Sequence, residues 1–324
     1  MPAVYEIFFP APPLRPFIEC YWFLKARVRP PRQLEEVIFT DARADIVFVY
    51  SSPYTRTKAT AAGPPQLMGA SNLDAQRRYP VRIQQQGDIH LIGVRFRPAG
   101  LAAFVPLPVH ELAGTTVGLQ DAFGPDGAAL EGKLYDLEGR GQDLAEGGSG
   151  GDGTHGFGAG PQGNKGAQRG PARGRQAQVG LLDSFFLSRL ATPPAYEPVA
   201  AWMAAIEARQ GVVSIAQLSR DSGYSVRTVD RLFRQVVGLS PKFFARTVRF
   251  RHVHRELLRQ PELAWDAIVA GYGYYDQSHF AKDVAALTGV PPKAYRAYLL
   301  AKRSDRPPHH VQFLQDSQAV ADLE

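Results

Sequence analysis

Apolar side chains recur every three or four positions in residues 225–238, which predicts a helix with one buried face. The apolar positions are Val226, Val229, Phe233, Val236 and Val237. The opposite face is polar and mainly basic, and carries Arg227, Asp230, Arg231 and Arg234. Ser225 precedes this helix and can cap it, because a serine hydroxyl accepts a first-turn N–H. The pattern therefore predicts a capped helix that shows a basic stripe to solvent.

The same pattern returns about fifty residues later, so residues 214–296 are interpreted as a duplicated helix-turn-helix. Seven positions match between the copies with a single inserted residue. The pairs are Leu218 and Ile268, Gly223 and Gly273, Val229 and Phe280, Phe233 and Val284, Gly238 and Gly289, Pro241 and Pro292, and Phe244 and Tyr295. Gly223 and Gly273 lie where a tight turn between helices favours positive φ.

A long helix is predicted between the two copies, over residues 241–260. Its apolar side is Phe244, Val248, Val253, Leu257 and Leu258, and its arginines, predicted to face largely outward, are Arg246, Arg249, Arg251, Arg255 and Arg259. At about 1.5 Å per residue it would span about 28 Å, close to one DNA turn of about 34 Å. Such a rod could place two recognition helices in successive major-groove segments.

The first part of the chain has a different pattern. Residues 18–24, 37–40, 45–50 and 89–96 are rich in β-branched and aromatic side chains and are separated by turn-forming clusters, which predicts strands. Helical segments are predicted to follow, up to residue 137. The fold class predicted is α+β: a β-rich sandwich or barrel-like domain over residues 1–137, then an all-α domain over residues 181–303.

Residues 138–180 separate these domains and are predicted to be a flexible linker, because residues 139–175 hold 14 of the 31 glycines and little to bury. The tail 304–324 is predicted to be disordered. Phe185 and Phe186 follow the linker on an amphipathic helix, which either packs as core or mediates dimerisation.

The net charge of +6 is concentrated on the repeat, because residues 214–303 hold 15 Lys and Arg against 7 Asp and Glu. A basic duplicated helix-turn-helix favours nucleic acid as the partner. No apolar run is long enough for a membrane span, and the first ten residues lack the features of a secretion signal, which predicts a cytoplasmic protein. The single cysteine, Cys20, lies among apolar side chains and is interpreted as a buried strand thiol.

The second copy ends in GYYDQSHF at residues 273–280 and GVPPKAYR at residues 289–296. These runs resemble the C-terminal DNA-binding domain of AraC/XylS-type transcription regulators. Residues 93–100 and 107–112 resemble, less closely, an N-terminal domain found ahead of some members. The resemblance implies base contacts by Val226, Arg227, Asp230, Arg231, Gln277, Ser278 and Lys282. The candidate phosphate contacts are Ser225, Arg234, Arg246 and His279.

The function predicted is therefore sequence-specific DNA binding in transcription regulation. The expected partners are double-stranded DNA, a small-molecule effector or a second copy of the chain through the N-terminal domain, and RNA polymerase. No cofactor, metal or enzymatic activity is expected. Two alternatives stay open. Ala285, Ala286 and Asp283 would weaken the phosphate grip of the second unit, as in a ligand-binding or scaffolding protein of reduced DNA affinity. Cys20 would be the acceptor in an alkyl-transfer DNA repair protein, although its neighbours are acidic and aromatic rather than basic.

Overall fold

Ten β-strands lie within the first 118 residues of the computed structural model, which describes residues 4–60, 63–146 and 170–304. They are β1 Val4–Phe8, β2 Ile18–Val28, β3 Leu34–Ile38, β4 Asp45–Val49, β5 Tyr54–Lys58, β6 Gln66–Met68, β7 Asn72–Asp74, β8 Val81–Gln85, β9 Gly87–Phe96 and β10 Thr116–Gly118. One antiparallel sheet has the order β1-β2-β9-β4-β7-β10, and the other has the order β3-β8-β5-β6. The β-rich N-terminal fold predicted from the sequence is confirmed.

Residues 18–24 of strand β2 are buried on both faces, which explains the apolar run from Cys20 to Leu24. Tyr21 and Phe23 point into the largest core cluster, which also contains helices. Cys20, Trp22 and Leu24 point the other way, into a smaller cluster that Leu34 of the second sheet joins. Because side chains alternate along a strand, one segment serves two cores.

Cys20 is a buried thiol, as predicted. Its exposed fraction is 2%, and burial raises the pKa of the thiol to about 12. The neighbouring Glu19 carboxylate raises that pKa further, whereas Arg95 lowers it. A thiol of this kind is almost wholly protonated at neutral pH, and only the thiolate is a good nucleophile. The geometry around Cys20 therefore does not favour the alkyl-transfer alternative.

Buried ion pairs cross the interior of the β-rich domain. Arg43 Nε donates to Glu19 Oε2 at 2.6 Å, and both side chains are almost completely buried. Arg95 pairs with Asp45 at 2.9 Å between adjacent strands β9 and β4. Burial alone would lower the pKa of Arg43, but the nearby carboxylates of Glu19 and Asp41 raise it above its ordinary value. These arginines stay charged because each has an acidic partner.

Eleven α-helices lie in the described residues. They are α1 Val109–Leu112, α2 Leu119–Phe123, α3 Pro125–Glu146, α4 Gly170–Leu187, α5 Tyr196–Ala208, α6 Ile215–Ser222, α7 Val226–Val237, α8 Pro241–Arg259, α9 Trp265–Gly271, α10 Gln277–Thr288 and α11 Pro292–Ser304. None of the described helices is long and apolar enough to cross a membrane.

Helices α3 and α4 extend into both ends of the segment 138–180 that was predicted to be a linker. Its middle part, 147–169, lies outside the described residues, as does most of the tail 304–324. Helix α4 also packs on the first sheet: Tyr21 Oη donates to Asp183 Oδ1 at 2.9 Å, and Phe186 contacts Phe96 at 5.7 Å between ring centroids. The predicted domain boundary at residue 181 thus falls inside a helix that packs against the β-rich domain.

Phe185 and Phe186 are accommodated within the chain. Phe186 is fully buried, and Phe185 packs edge-on against Phe123 at 5.7 Å, with the Arg189 guanidinium 4.5 Å from its ring centroid. The core interpretation of this helix agrees with these contacts. The dimerisation interpretation depended on aromatic side chains that have no packing partner within the chain, and both phenylalanines have such partners.

One apolar core runs from the β-rich domain into the first helix-turn-helix. The largest cluster contains Leu101 and Val109 together with Val229, Phe233 and Val237 of α7. The second unit has a separate cluster formed by α8–α11, and the only buried residue that the β-rich domain adds to it, among the residues described, is Phe39. The two helix-turn-helix units are therefore attached to the N-terminal domain in different ways.

Candidate DNA interface

The first unit consists of α6 and α7, joined at Gly223. Gly223 has φ 73°, and the Ser225 hydroxyl accepts the Thr228 N–H at 3.1 Å, so the predicted turn and cap are both present. Gly238 ends α7 with φ 83°. The buried row is Val229, Phe233, Val236 and Val237. The sequence predicted this unit because each signal is local.

Arg227 and Arg231 project from the outer face of α7. Both are exposed, and neither forms a hydrogen bond or ion pair with another described residue. Val226 is 49% exposed, so its prediction as a buried residue was wrong. It is the first residue of α7, and the buried residues of this helix begin only at Val229. Its exposure leaves it available as a candidate base contact. The N-terminal half of a recognition helix is the part that contacts base edges in this motif.

Asp230 and Arg234, two further candidates, are paired with each other. Arg234 Nε donates to Asp230 Oδ2 at 2.7 Å, one helical turn away. Both side chains are partly exposed, so the pair contributes little stability and can exchange for a DNA contact.

The second unit repeats this plan with α9 and α10. Gly273 has φ 65°, and Asp276 caps α10 by accepting the His279 N–H at 2.6 Å. Asp276 corresponds to Ser225 at the offset of 51 residues. It was not among the predicted site residues, although the sequence signal, an aspartate at the repeat position of a serine cap, was available. Phe280, Val284 and Leu287 form the buried row, as predicted.

The outer face of α10 carries Gln277, Ser278 and Lys282, all of which are exposed. Gln277 Nε2 donates to Asp266 Oδ1 at 2.6 Å, so that amide would have to change partner to contact a base. Lys282 has no hydrogen bond or ion pair within the described part of the chain. His279 is half-buried: its ring packs edge-on against Tyr274 at 5.4 Å, and its Nδ1 accepts the Tyr275 N–H.

The arginines of α8 were predicted to face largely outward, and most of them do not. Arg246 donates to Asp283 Oδ1 at 2.9 Å, Arg251 pairs with Glu207 at 2.8 Å, and Arg249 donates to the carbonyls of Gly273 and Gly211. Only Arg259 is largely exposed, and it pairs with Glu256. Arg251 thus links the connecting helix to α5, and Arg246 and Arg249 link it to the second unit. Arg246, a predicted phosphate contact, is thus engaged in a structural pair.

The N-terminal domain contacts the C-terminal end of each recognition helix. A Cβ at Gly238 would lie 3.0 Å from Val109. At α10, Thr40 N donates to Leu287 O at 3.2 Å, and the Phe39 ring packs edge-on against Tyr295 of α11 at 5.3 Å. The predicted base-reading side chains lie at the opposite, N-terminal ends and are not covered by these contacts.

Sequence analysis did not identify several residues that hold the second unit in place. Tyr298 Oη donates to Glu36 Oε1 at 3.0 Å, and the buried His254 Nδ1 hydrogen-bonds Tyr295 Oη. Burial raises the pKa of Tyr295 well above its ordinary value, so the phenol stays protonated. Each partner is tens to hundreds of residues away, and no local pattern indicates such a pair. Within the described residues, no group of three or more His, Cys, Asp or Glu is placed to hold a metal ion.

The two turn glycines make a matched pair for mutation. Both have positive φ, so alanine should cost about 1–2 kcal/mol at either site through left-handed strain. A Cβ at Gly223 meets nothing within 4 Å, whereas one at Gly273 would lie 2.8 Å from Val212 Cγ1. We expect Gly273→Ala to lower the free energy of unfolding, measured in urea, more than Gly223→Ala does. Equal losses would show that Val212 moves aside freely.

Comparison with known proteins assigns the two parts of the chain separately. The family described as a domain of unknown function (DUF6597) matches residues 6–118, and the family described as a helix-turn-helix domain matches residues 218–298. No match is found among curated proteins.

Solved structures with low similarity include several of ToxT from Vibrio cholerae. An apo variant has 9% identity and a TM-score of 0.42, covering 86% of this chain and 97% of that chain. A 1.65 Å structure of ToxT has 8% identity and a TM-score of 0.39, covering 92% and 99%. ToxT bound to an unsaturated fatty acid has 10% identity and a TM-score of 0.37, covering 84% and 97%.

The helix-turn-helix match coincides with α6–α11, in which two capped recognition helices expose polar side chains beside one connecting helix. The β-rich match coincides with the two antiparallel sheets. Residues 218–298 thus form a helix-turn-helix domain of the AraC type, preceded in the same chain by a DUF6597 domain.

Proposed function

We propose that the chain is a sequence-specific transcription regulator whose helices α7 and α10 enter successive major-groove segments of one DNA duplex. The observation that carries the proposal is the shared geometry of the two units. In each, the N-terminal half of the recognition helix is exposed, while its C-terminal end packs on the N-terminal domain.

Base selection is proposed for Val226, Arg227, Asp230 and Arg231 in α7, and for Gln277, Ser278 and Lys282 in α10. Arginine and lysine suit the O6 and N7 acceptors of guanine, and glutamine suits adenine. Ser225, Arg234 and His279 remain proposed phosphate contacts. We do not extend that role to Arg246, because it holds Asp283. Phosphate contacts would make the affinity strongly dependent on salt.

The scaffolding alternative depended partly on Asp283, whose negative charge would repel phosphate. The Asp283 side chain is only 5% exposed and accepts hydrogen bonds from Arg246. It therefore does not present a free carboxylate on the outer face of α10, and the DNA-binding proposal is favoured.

Arg231 provides the direct test. The DNA probe is a duplex that the full-length wild-type chain selects from a random pool. We expect Arg231→Ala to weaken binding to it by about 1–3 kcal/mol and to relax selection at one base pair, measured by gel shift and by repeating the selection. Arg82→Ala, which removes an exposed arginine from β8, is the charge-matched control. A loss for Arg231→Ala that is equal on all sequences would make it a phosphate contact.

Control by a small molecule is the second part of the proposal. A cavity of about 540 Å³ lies at the ends of β2, β9 and β4, within the size range of ligand pockets. Its lining includes Lys25, Arg27, Arg29 and His90 and one acidic residue, Asp88, an excess of basic groups that suits an organic anion. A rise in melting temperature with an organic acid that is lost in Lys25→Ala would support this role, and equal rises in both proteins would contradict it. Dimerisation and contact with RNA polymerase remain predictions.

A further inference from the structure

Tyr275 is the most exposed large hydrophobic side chain among the described residues, at 91%. It lies in the turn between Gly273 and the cap residue Asp276, two residues before Gln277. An aromatic ring in water gains nothing from packing, and tyrosine is enriched at interfaces because its ring and hydroxyl can both be used there. Tyr275 lies at the edge of the proposed base-reading surface, so the interface in question is the one with DNA.

The first unit contains its own comparison. Tyr224 precedes the cap Ser225 as Tyr275 precedes Asp276, at the repeat offset of 51 residues. The Tyr224 ring packs edge-on against Trp202 at 5.3 Å and is 42% exposed. Tyr275 has no ring contact or side-chain hydrogen bond with any described residue. The same residue type at the same position thus packs against an aromatic side chain in one unit and is almost fully exposed to solvent in the other.

The turn that carries Tyr275 is nevertheless well anchored. Its backbone N–H donates to His279 Nδ1 at 3.4 Å, and the next residue caps α10. The backbone at Tyr275 is therefore already ordered. A contact between its hydroxyl and another molecule would need to order only the side chain. This lowers the entropic cost of using it.

Three arginines of α8 and α11 that pack around the second unit are already engaged within the chain. Arg246 is held by Asp283, and Arg249 donates to two backbone carbonyls. Arg296 lies over the Trp265 ring at 3.5 Å and donates to Leu263 O. Within α10, Lys282 is the only lysine or arginine. A neutral hydrogen-bond donor beside this helix would supply a contact to the DNA phosphates that the arginines already bonded within the chain do not.

We propose that the Tyr275 hydroxyl donates a hydrogen bond to a phosphate oxygen of the DNA segment that α10 reads, and so positions that helix in its groove. The inference rests on the proposed DNA-binding function and adds a residue to it. Such contacts fix register and orientation without reading sequence.

The test uses the full chain and a duplex that the wild-type chain selects from a random pool. Tyr275→Phe removes only the hydroxyl. Because hydrogen bonds to charged groups are among the stronger ones, we expect roughly tenfold weaker binding. The slope of log affinity against log salt should stay unchanged, because a neutral donor releases no counterion. Tyr224→Phe is the matched control and should bind like wild type. Arg234→Ala, in contrast, should lower the slope, because that arginine is a proposed cationic phosphate contact.

Each outcome either supports or overturns the proposed phosphate contact of Tyr275. Wild-type affinity for Tyr275→Phe overturns it, and so does an altered base preference in a repeated selection, since that would make Tyr275 a base contact. An equal loss in Tyr224→Phe would indicate a general effect on folding of the turn and would also overturn it. If the wild-type chain selects no sequence at all, the proposed function itself fails, a result distinct from a Tyr275-specific failure.

Discussion

Replacing Phe233 with alanine is expected to lower the free energy of unfolding by about 3–5 kcal/mol, the usual range for a large aromatic in a core. Phe233 is fully buried on α7, and its ring lies 5.5 Å from that of Phe244. The same cluster contains Leu101 and Val109 of the N-terminal domain. We therefore expect the loss to extend to the β-rich domain, and urea unfolding followed by far-UV circular dichroism and tryptophan fluorescence should show both parts destabilised together.

Phe280→Ala is the matched control for Phe233→Ala. Phe280 is equally well buried, but in the second cluster, to which the β-rich domain adds only Phe39 among the described buried residues. Its loss should destabilise α8–α11 and leave the β-rich domain with a near wild-type transition. If Phe233→Ala also spares the β-rich domain, the continuous core does not couple the two parts.

Replacing Glu19 with alanine is expected to cost about 3–5 kcal/mol, because it leaves the charge of Arg43 buried without its closest partner. The two side chains are 3% and 5% exposed, and the remaining acidic neighbour, Asp41, lies 3.3 Å away. The measurement is again the free energy of unfolding in urea. The effect should be confined to stability, because this pair lies in the β-rich domain.

An exposed pair of the same kind provides the control. Glu35 and Arg82 form an ion pair on β3 and β8, with side chains 44% and 41% exposed. Glu35→Ala should cost less than about 1 kcal/mol, because solvent screens the pair. Similar losses in the two variants would mean that burial does not determine the cost, and would contradict the role given to the Glu19–Arg43 pair.

The helix-turn-helix units could be predicted in detail because their signals are local. Ser225 caps the helix that follows it, Gly223 and Gly273 supply positive φ, and Gly238 ends α7. Hydrophobic spacing then fixed which side of α10 is buried. Four of the ten strands, β2, β3, β4 and β9, were also predicted at least in part, because β-branched and aromatic runs between turn residues are a local pattern too.

Pairings between distant residues could not be predicted in this way. The arginines of α8 have the spacing of a solvent-facing stripe, yet Arg246 meets Asp283 and Arg251 meets Glu207, 37 and 44 residues away. Phe39 packs against Tyr295 from the other end of the chain. The first turns of α4 were not predicted as helix for a related reason, since Val179 and Leu182 gain burial only against the rest of the fold.

Both recognition helices are proposed to read one duplex, and a methylation-protection footprint can show this because guanine N7 lies in the major groove. On the duplex selected by the full-length chain, we expect two protected tracts on one face of the DNA, with centres about 10 base pairs apart. Lys282→Ala should weaken protection of one tract and Arg231→Ala that of the other. A single tract, or two tracts on opposite faces, would show that α7 and α10 do not read one face of the same duplex.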